Sequence, residues 1–167
     1  MKTMFRPAGR MRVECFDPAT GAVLWEETIR NMSTLEGMTC LFDVGFDGGT
    51  QEPAWHLGLI SNSGFVEVAE DDTMASHGWT EATAYSGDRP QWTPLAIAAG
   101  IATNSSNVVY IFTGAAVLKG IFVVSVATKG GTTGVLWATA LFGATRTLAA
   151  GNGLRVTYTV TASGGNA

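Results

Sequence analysis

The residues best equipped for chemistry lie in one stretch, Asp72 to Trp92. It holds His77, Glu81, the Asp88-Arg89 pair and the aromatic side chains Trp79, Tyr85 and Trp92. Asp71, Asp72, His77 and Glu81 are oxygen and nitrogen donors of the kind that gather a divalent cation. Their spacing matches no zinc pattern: the histidines are His56 and His77, and neither Cys15 nor Cys40 is near either one in sequence. Ser76 and His77 are chain neighbours, and no Gly-x-Ser-x-Gly elbow sets a serine on the sharp turn a hydrolase needs. Gly130-Gly131 and Gly134 lack the Gly-Lys-Ser/Thr ending of a phosphate loop, and Gly151-Asn152-Gly153 precedes a strand pattern instead of a helix. The expectation is a protein without catalytic, metal-binding or cofactor-binding residues.

Structural roles account for the same side chains. Asp72 followed by Thr73-Met74-Ala75-Ser76 reads as an N-cap opening one helical turn, which Gly78 closes. His77 and Glu81 are expected to hydrogen-bond loop backbone, which a loop of this length must satisfy. Arg89 is expected to pair with Asp72 or Glu81 and pin the loop to the body. Trp79, Tyr85 and Trp92 allow two readings. As exposed rings they would stack on sugars; as buried plugs each would remove about 150–250 Å² from water at an open end of the core. Plugging is the favoured reading.

The residues Asp72 to Trp79, Glu81, Tyr85 and Arg89-Pro90-Gln91-Trp92 resemble a stretch found in small structural proteins of tailed-bacteriophage particles. Asn31 to Gly37, Phe46 to Gly49, Trp55 to Ile60, Gly134 to Phe142, Arg146-Thr147 and Leu154 to Thr159 fit the same pattern, so the resemblance runs from about Asn31 to Thr161. It implies a virion protein, capsid-decorating or tail-associated, assembled in the bacterial host cytoplasm.

The elements that must position these residues follow from composition and periodicity. The chain has 167 residues, one domain's worth, with 46% hydrophobic and only 14% charged residues. A net charge of −4 and the lack of a Lys/Arg cluster beyond Arg6, Arg10 and Arg12 argue against nucleic acid. Met1 to Pro7 lacks the apolar run of a signal peptide. Val108 to Ala127 imitates a membrane span, yet Gly114, Lys119 and Gly120 interrupt it and two strands account for it better. Both cysteines sit in apolar contexts and are read as reduced and buried.

Met11 to Phe16 alternates as a strand, Asp17 to Gly21 carries turn chemistry, and Ala22 to Ile29 returns as its antiparallel partner. Leu35, Met38, Leu41, Phe42 and Phe46 draw an apolar stripe at helical spacing, predicting a helix over 34–44 with Ser33 as N-cap and Glu36 completing a capping box. Strands are predicted at 54–60, 95–102, 108–113, 118–126, 135–142 and 154–161, with a loop over 65–89. The fold class is mainly β: an antiparallel sandwich or jelly roll with one short helix. Residues 1–10 are read as an N-terminal arm carrying Lys2, Arg6 and Arg10, with Arg12 just beyond; 11–161 as the single domain; and 162–167 as a frayed tail.

The expected function is non-enzymatic: a capsid cement or decoration protein, homo-oligomeric, stabilising seams between major capsid subunits or other virion proteins. The runner-up is a tail- or fibre-associated module touching a receptor, a carbohydrate included, through the aromatic loop. Nucleic acid, membrane and a small-molecule substrate are not expected partners.

Overall fold

The computed structural model describes residues 7–162. Lys2 and Arg6 of the expected arm, and 163–167 of the expected tail, lie outside the described residues. The first strand opens at Ala8, so Arg10 and Arg12 stand in a ladder and not on an arm. Both point outward from it. Arg12 bridges Glu14 at 3.1 Å and Glu26 at 2.7 Å.

The fold is mainly β, with one helix. The strands, in chain order, are β1 (Ala8–Phe16), β2 (Val23–Ser33), β3 (Trp55–Ser61), β4 (Gln91–Trp92), β5 (Ile101–Thr103), β6 (Val108–Ile111), β7 (Ala116–Val124), β8 (Leu136–Leu148) and β9 (Gly153–Thr161); the helix is α1 (Leu35–Phe46). Instead of two separate sheets they form one curled antiparallel sheet, in the order β4-β3-β7-β8-β2-β1-β9-β5, with β6 following β5 along β9. The halves are joined where Asn31, Met32 and Ser33 of β2 pair with β8.

Alternation builds the first hairpin as expected. Met11, Val13 and Cys15 face the core while Arg10 and Arg12 face out, and Met11 pairs with Ile29 of β2. The connecting turn is made by Asp17, whose side chain accepts from the Ala19 amide at 2.9 Å, and by Gly21 at φ 74°. The core then joins Met11 and Val13 to Leu154 and Val156 of the neighbouring β9 and to Leu57, Leu118, Ile121 and Phe142 from across the curl. The span-like stretch 108–127 is two strands: β6 pairs β9, and β7 lies between β3 and β8. Among the described residues no helix is long and apolar enough to cross a membrane.

Two elements depart from expectation. The helix is capped by Thr34, not Ser33: the Thr34 hydroxyl accepts from the Gly37 amide at 3.0 Å and donates to the Leu136 carbonyl. Glu36 reaches away from the helix, accepting from the Met74 amide at 3.1 Å and the Leu136 amide at 2.7 Å, so no capping box forms. Gly37 is the residue that lets the helix down onto β8; a Cβ there would stand 2.7 Å from the Trp137 backbone. The apolar stripe consequently faces solvent, with Leu35, Leu41, Phe42 and Phe46 all exposed.

The second departure is 95–102, which is no single strand. Leu95 donates to the Thr103 carbonyl, and Ala98 and Ile101 pair across Ala99 and Gly100, so 94–104 is a hairpin. Ala99 at φ 50° and Gly100 at φ 71° supply the two positive φ values that a two-residue type I′ turn requires.

Candidate functional site

The aromatic loop is the seam that closes the curl. On one side it lies along the outer edge of β3: the Ala82 amide donates to the Leu59 carbonyl (2.8 Å), the Ser61 amide to Thr80 (2.8 Å) and the Leu57 amide to Pro90 (3.0 Å). On the other it lies beside the end of β6, where Ser86 donates to Ile111 (3.0 Å) and Thr113 to Ala84 (2.9 Å). Two sheet edges that would otherwise offer open backbone groups are thereby covered. The Tyr110 hydroxyl, donating to the Leu57 carbonyl at 2.8 Å, ties β6 to β3 behind the loop.

Arg89 is the pin of this seam, paired with Glu81 and not with Asp72. The guanidinium meets the carboxylate through two bonds, Nε to Oε1 at 3.0 Å and Nη2 to Oε2 at 2.8 Å, with both side chains out of water. Its remaining donors reach the Val126 carbonyl (3.0 Å) and the Gly131 carbonyl (2.7 Å), and it lies 5.1 Å over the Phe122 ring. Glu81 also accepts from the Tyr85 hydroxyl at 3.3 Å and the Gly130 amide at 2.6 Å. Its two oxygens thus take four hydrogen bonds, leaving no free lone pair with which to bind a cation or a substrate. Burial, with Glu81 next, pushes the Tyr85 phenol well above its usual range.

Asp72 makes no helical turn. Thr73 and Ser76 pair backbone to backbone as a tight antiparallel turn, while Asp72 accepts from the Ala69 amide (3.0 Å) and the Trp79 indole (3.4 Å). His77 stacks on Trp79, ring centroids 3.7 Å apart and 15° between planes, and Trp79 packs on Phe122 at 4.6 Å. The four metal-ligand candidates therefore do not converge, and among the described residues no three His, Cys, Asp or Glu side chains do. Trp79, Tyr85 and Trp92 are all buried, as plugging requires; of the three, Trp92 alone lines the groove described below.

One titration enters here that the loop motif did not flag. The His56 imidazole is held below the usual histidine range by burial first and by Arg89 second, against a hydrogen bond with the Ser125 backbone. A histidine that resists its proton only when folded stabilises the fold above about pH 6.5, and that stability is lost as pH falls through 6.5 toward the lower folded value. The melting temperature is expected to fall between pH 7 and pH 5, and to fall less in His56→Gln. Equal falls in the two proteins would remove His56 as the source.

A concavity lies elsewhere, in residues the sequence treated as ordinary strand and turn. A groove of about 560 Å³ opens between α1 and the 94–104 hairpin. Its floor is Trp55, Trp92, Trp137 and Tyr158, from β3, β4, β8 and β9; Cys40 and Leu41 form the helix wall and Ile97 and Ala102 the hairpin wall. The polar atoms of Trp92, Trp137 and Tyr158 are turned into the protein. The Trp137 indole donates to the Tyr158 hydroxyl at 2.9 Å, and the Trp92 indole to Asn104 at 2.8 Å. Burial raises the Tyr158 phenol, and the Trp137 bond pulls it partway back. Cys15 is buried as expected, but Cys40 is half-buried. Burial pushes the Cys40 thiol up, and the carboxylates of Glu52, Asp43 and Glu36 push it further. The available signal was three tryptophans and a tyrosine spread over four strands, which spacing alone does not gather. Compared with known proteins, the chain matches no protein-family model and no curated protein.

Proposed function

We propose that this chain is a non-enzymatic structural protein of a bacteriophage particle, a cement or decoration protein that sits in repeated copies on the seams between major capsid subunits. One observation carries the reading: the apolar stripe of α1 is presented to solvent, with Leu35 54%, Phe42 45% and Phe46 85% exposed. Such a stripe on a helix that is already docked is surface awaiting a partner, since contiguous exposed apolar side chains mark interaction sites. Asp72, Glu81 and Arg89 are taken up in holding the loop, so the exposed apolar stripe is the feature on which this reading rests. The particle setting comes from the resemblance in the loop and strand motifs. Modest contacts repeated around a symmetric shell add through effective concentration, so each copy needs only a small patch.

The test is the copy number of this chain in purified particles, by quantitative mass spectrometry against the major capsid protein, with Phe42→Glu/Phe46→Glu as the variant. A ratio near that of the capsid subunit, lost in the variant while its melting temperature stays within roughly 2 °C, is the expected result; substitutions at such exposed positions typically change stability by about 0.5 kcal/mol or less. A few copies per particle would move the protein to the tail, and absence from particles would overturn the structural role.

A further inference from the structure

The groove between α1 and the hairpin has a size, a lining and a sign. About 560 Å³ is the volume of a small-molecule site, inside the ordinary range of roughly 300–1,000 Å³. The lining is mostly ring faces and aliphatic side chains, with Gln51, Glu52 and Cys40 as its polar members; the indole N–H groups of Trp92 and Trp137 are spent on Asn104 and Tyr158. The sign is negative. Among the described residues Glu52 is the only charged side chain that lines the groove, and no lysine, arginine or histidine does. The aromatic faces themselves carry negative charge density and attract cations.

We propose that this groove binds a small organic cation with an apolar body, the body against Trp55, Trp92 and Trp137 and the cationic end toward Glu52. An anion of the same body is disfavoured twice, by the carboxylate and by the ring faces. A neutral analogue keeps the area term and loses the charge term. The Cys40 thiol on the helix wall responds to the same field: after burial, it is the carboxylates of Glu52, Asp43 and Glu36 that raise it. The mouth lies beside the exposed stripe of α1, yet the site needs no particle, so it stands or falls apart from the cement role.

The experiment uses the full chain in dilute solution and three probes with one carbon body: phenylbutylammonium, phenylbutanol and phenylbutyrate. Tryptophan fluorescence and calorimetry follow each titration. Saturable one-site binding is expected, with the cation about ten-fold tighter than the alcohol and the carboxylate weaker still. Glu52→Gln should bring the cation to within about three-fold of the alcohol, and Ala102→Trp, which fills the hairpin wall, should abolish all three. Val44→Trp fills the opposite wall and serves if Ala102→Trp does not fold. No saturable binding, equal affinity for the three probes, or binding that survives the filled groove would overturn the proposal.

Discussion

Arg89→Ala is expected to cost roughly 3–5 kcal/mol of folding stability, the usual result of orphaning a buried charge. For a chain of this length that is a fall of about 10 °C in melting temperature. The size follows from what is left behind. Glu81 would remain with its side chain 6% exposed and no cation to face, and the Val126 and Gly131 carbonyls would lose their donor. The loop would then hold by its backbone bonds and by the packing of Trp79 and Tyr85. Arg89→Lys should recover little, because an ammonium cannot span both Glu81 oxygens and two carbonyls as the planar fork does. Removing both charges, as in Arg89→Met/Glu81→Leu, should recover part of the loss but not all, since the Gly130 amide also depends on Glu81. A melting temperature within 2 °C of the parent for Arg89→Ala would show that the pair is dispensable.

Asn104→Ala carries the second large effect, expected at about 3 kcal/mol or more, because each buried group left without a partner costs roughly 1–3 kcal/mol. Asn104 is 9% exposed and uses its whole amide. Its Oδ1 accepts from the Trp92 indole at 2.8 Å and the Tyr158 amide at 2.7 Å, while Nδ2 donates to the Ser106 carbonyl at 3.0 Å and the Val156 carbonyl at 2.9 Å. One side chain thus ties the 94–104 hairpin to β9 and sets the Trp92 ring in the groove floor. Asn104→Asp should be no better than alanine: it keeps both accepted bonds but turns a carboxylate oxygen toward two carbonyls. Chemical denaturation of the three proteins checks this. An aspartate variant as stable as the parent would contradict the donor assignment.

These two residues mark where sequence reasoning reached and where it stopped. Arg89 was legible as the partner of a loop carboxylate, because a long loop with one arginine and several acids invites a pin; that the acid is Glu81 and not Asp72 depends on the loop running along β3. Asn104 was illegible. Asn-Ser-Ser-Asn reads as a turn between strands, and nothing local says that its first side chain points inward at the crossing of hairpin and β9.

Composition, alternation and turn chemistry were enough to specify a mainly β chain, the β1–β2 hairpin, the approximate helix and the plugging role of Trp79, Tyr85 and Trp92. These are short-range properties: which way a side chain points relative to its neighbours in a strand or helix is decided within a few residues. What the tertiary structure alone decided is what each face meets. The stripe on α1 is apolar whether or not anything covers it, and only the contact of Gly37 with β8 leaves it in water. The groove gathers Trp55, Trp92, Trp137 and Tyr158 because the sheet curls and β9 returns beside β1. Spacing along the chain carries no record of that, since such neighbours are made by long-range pairing and not by local geometry.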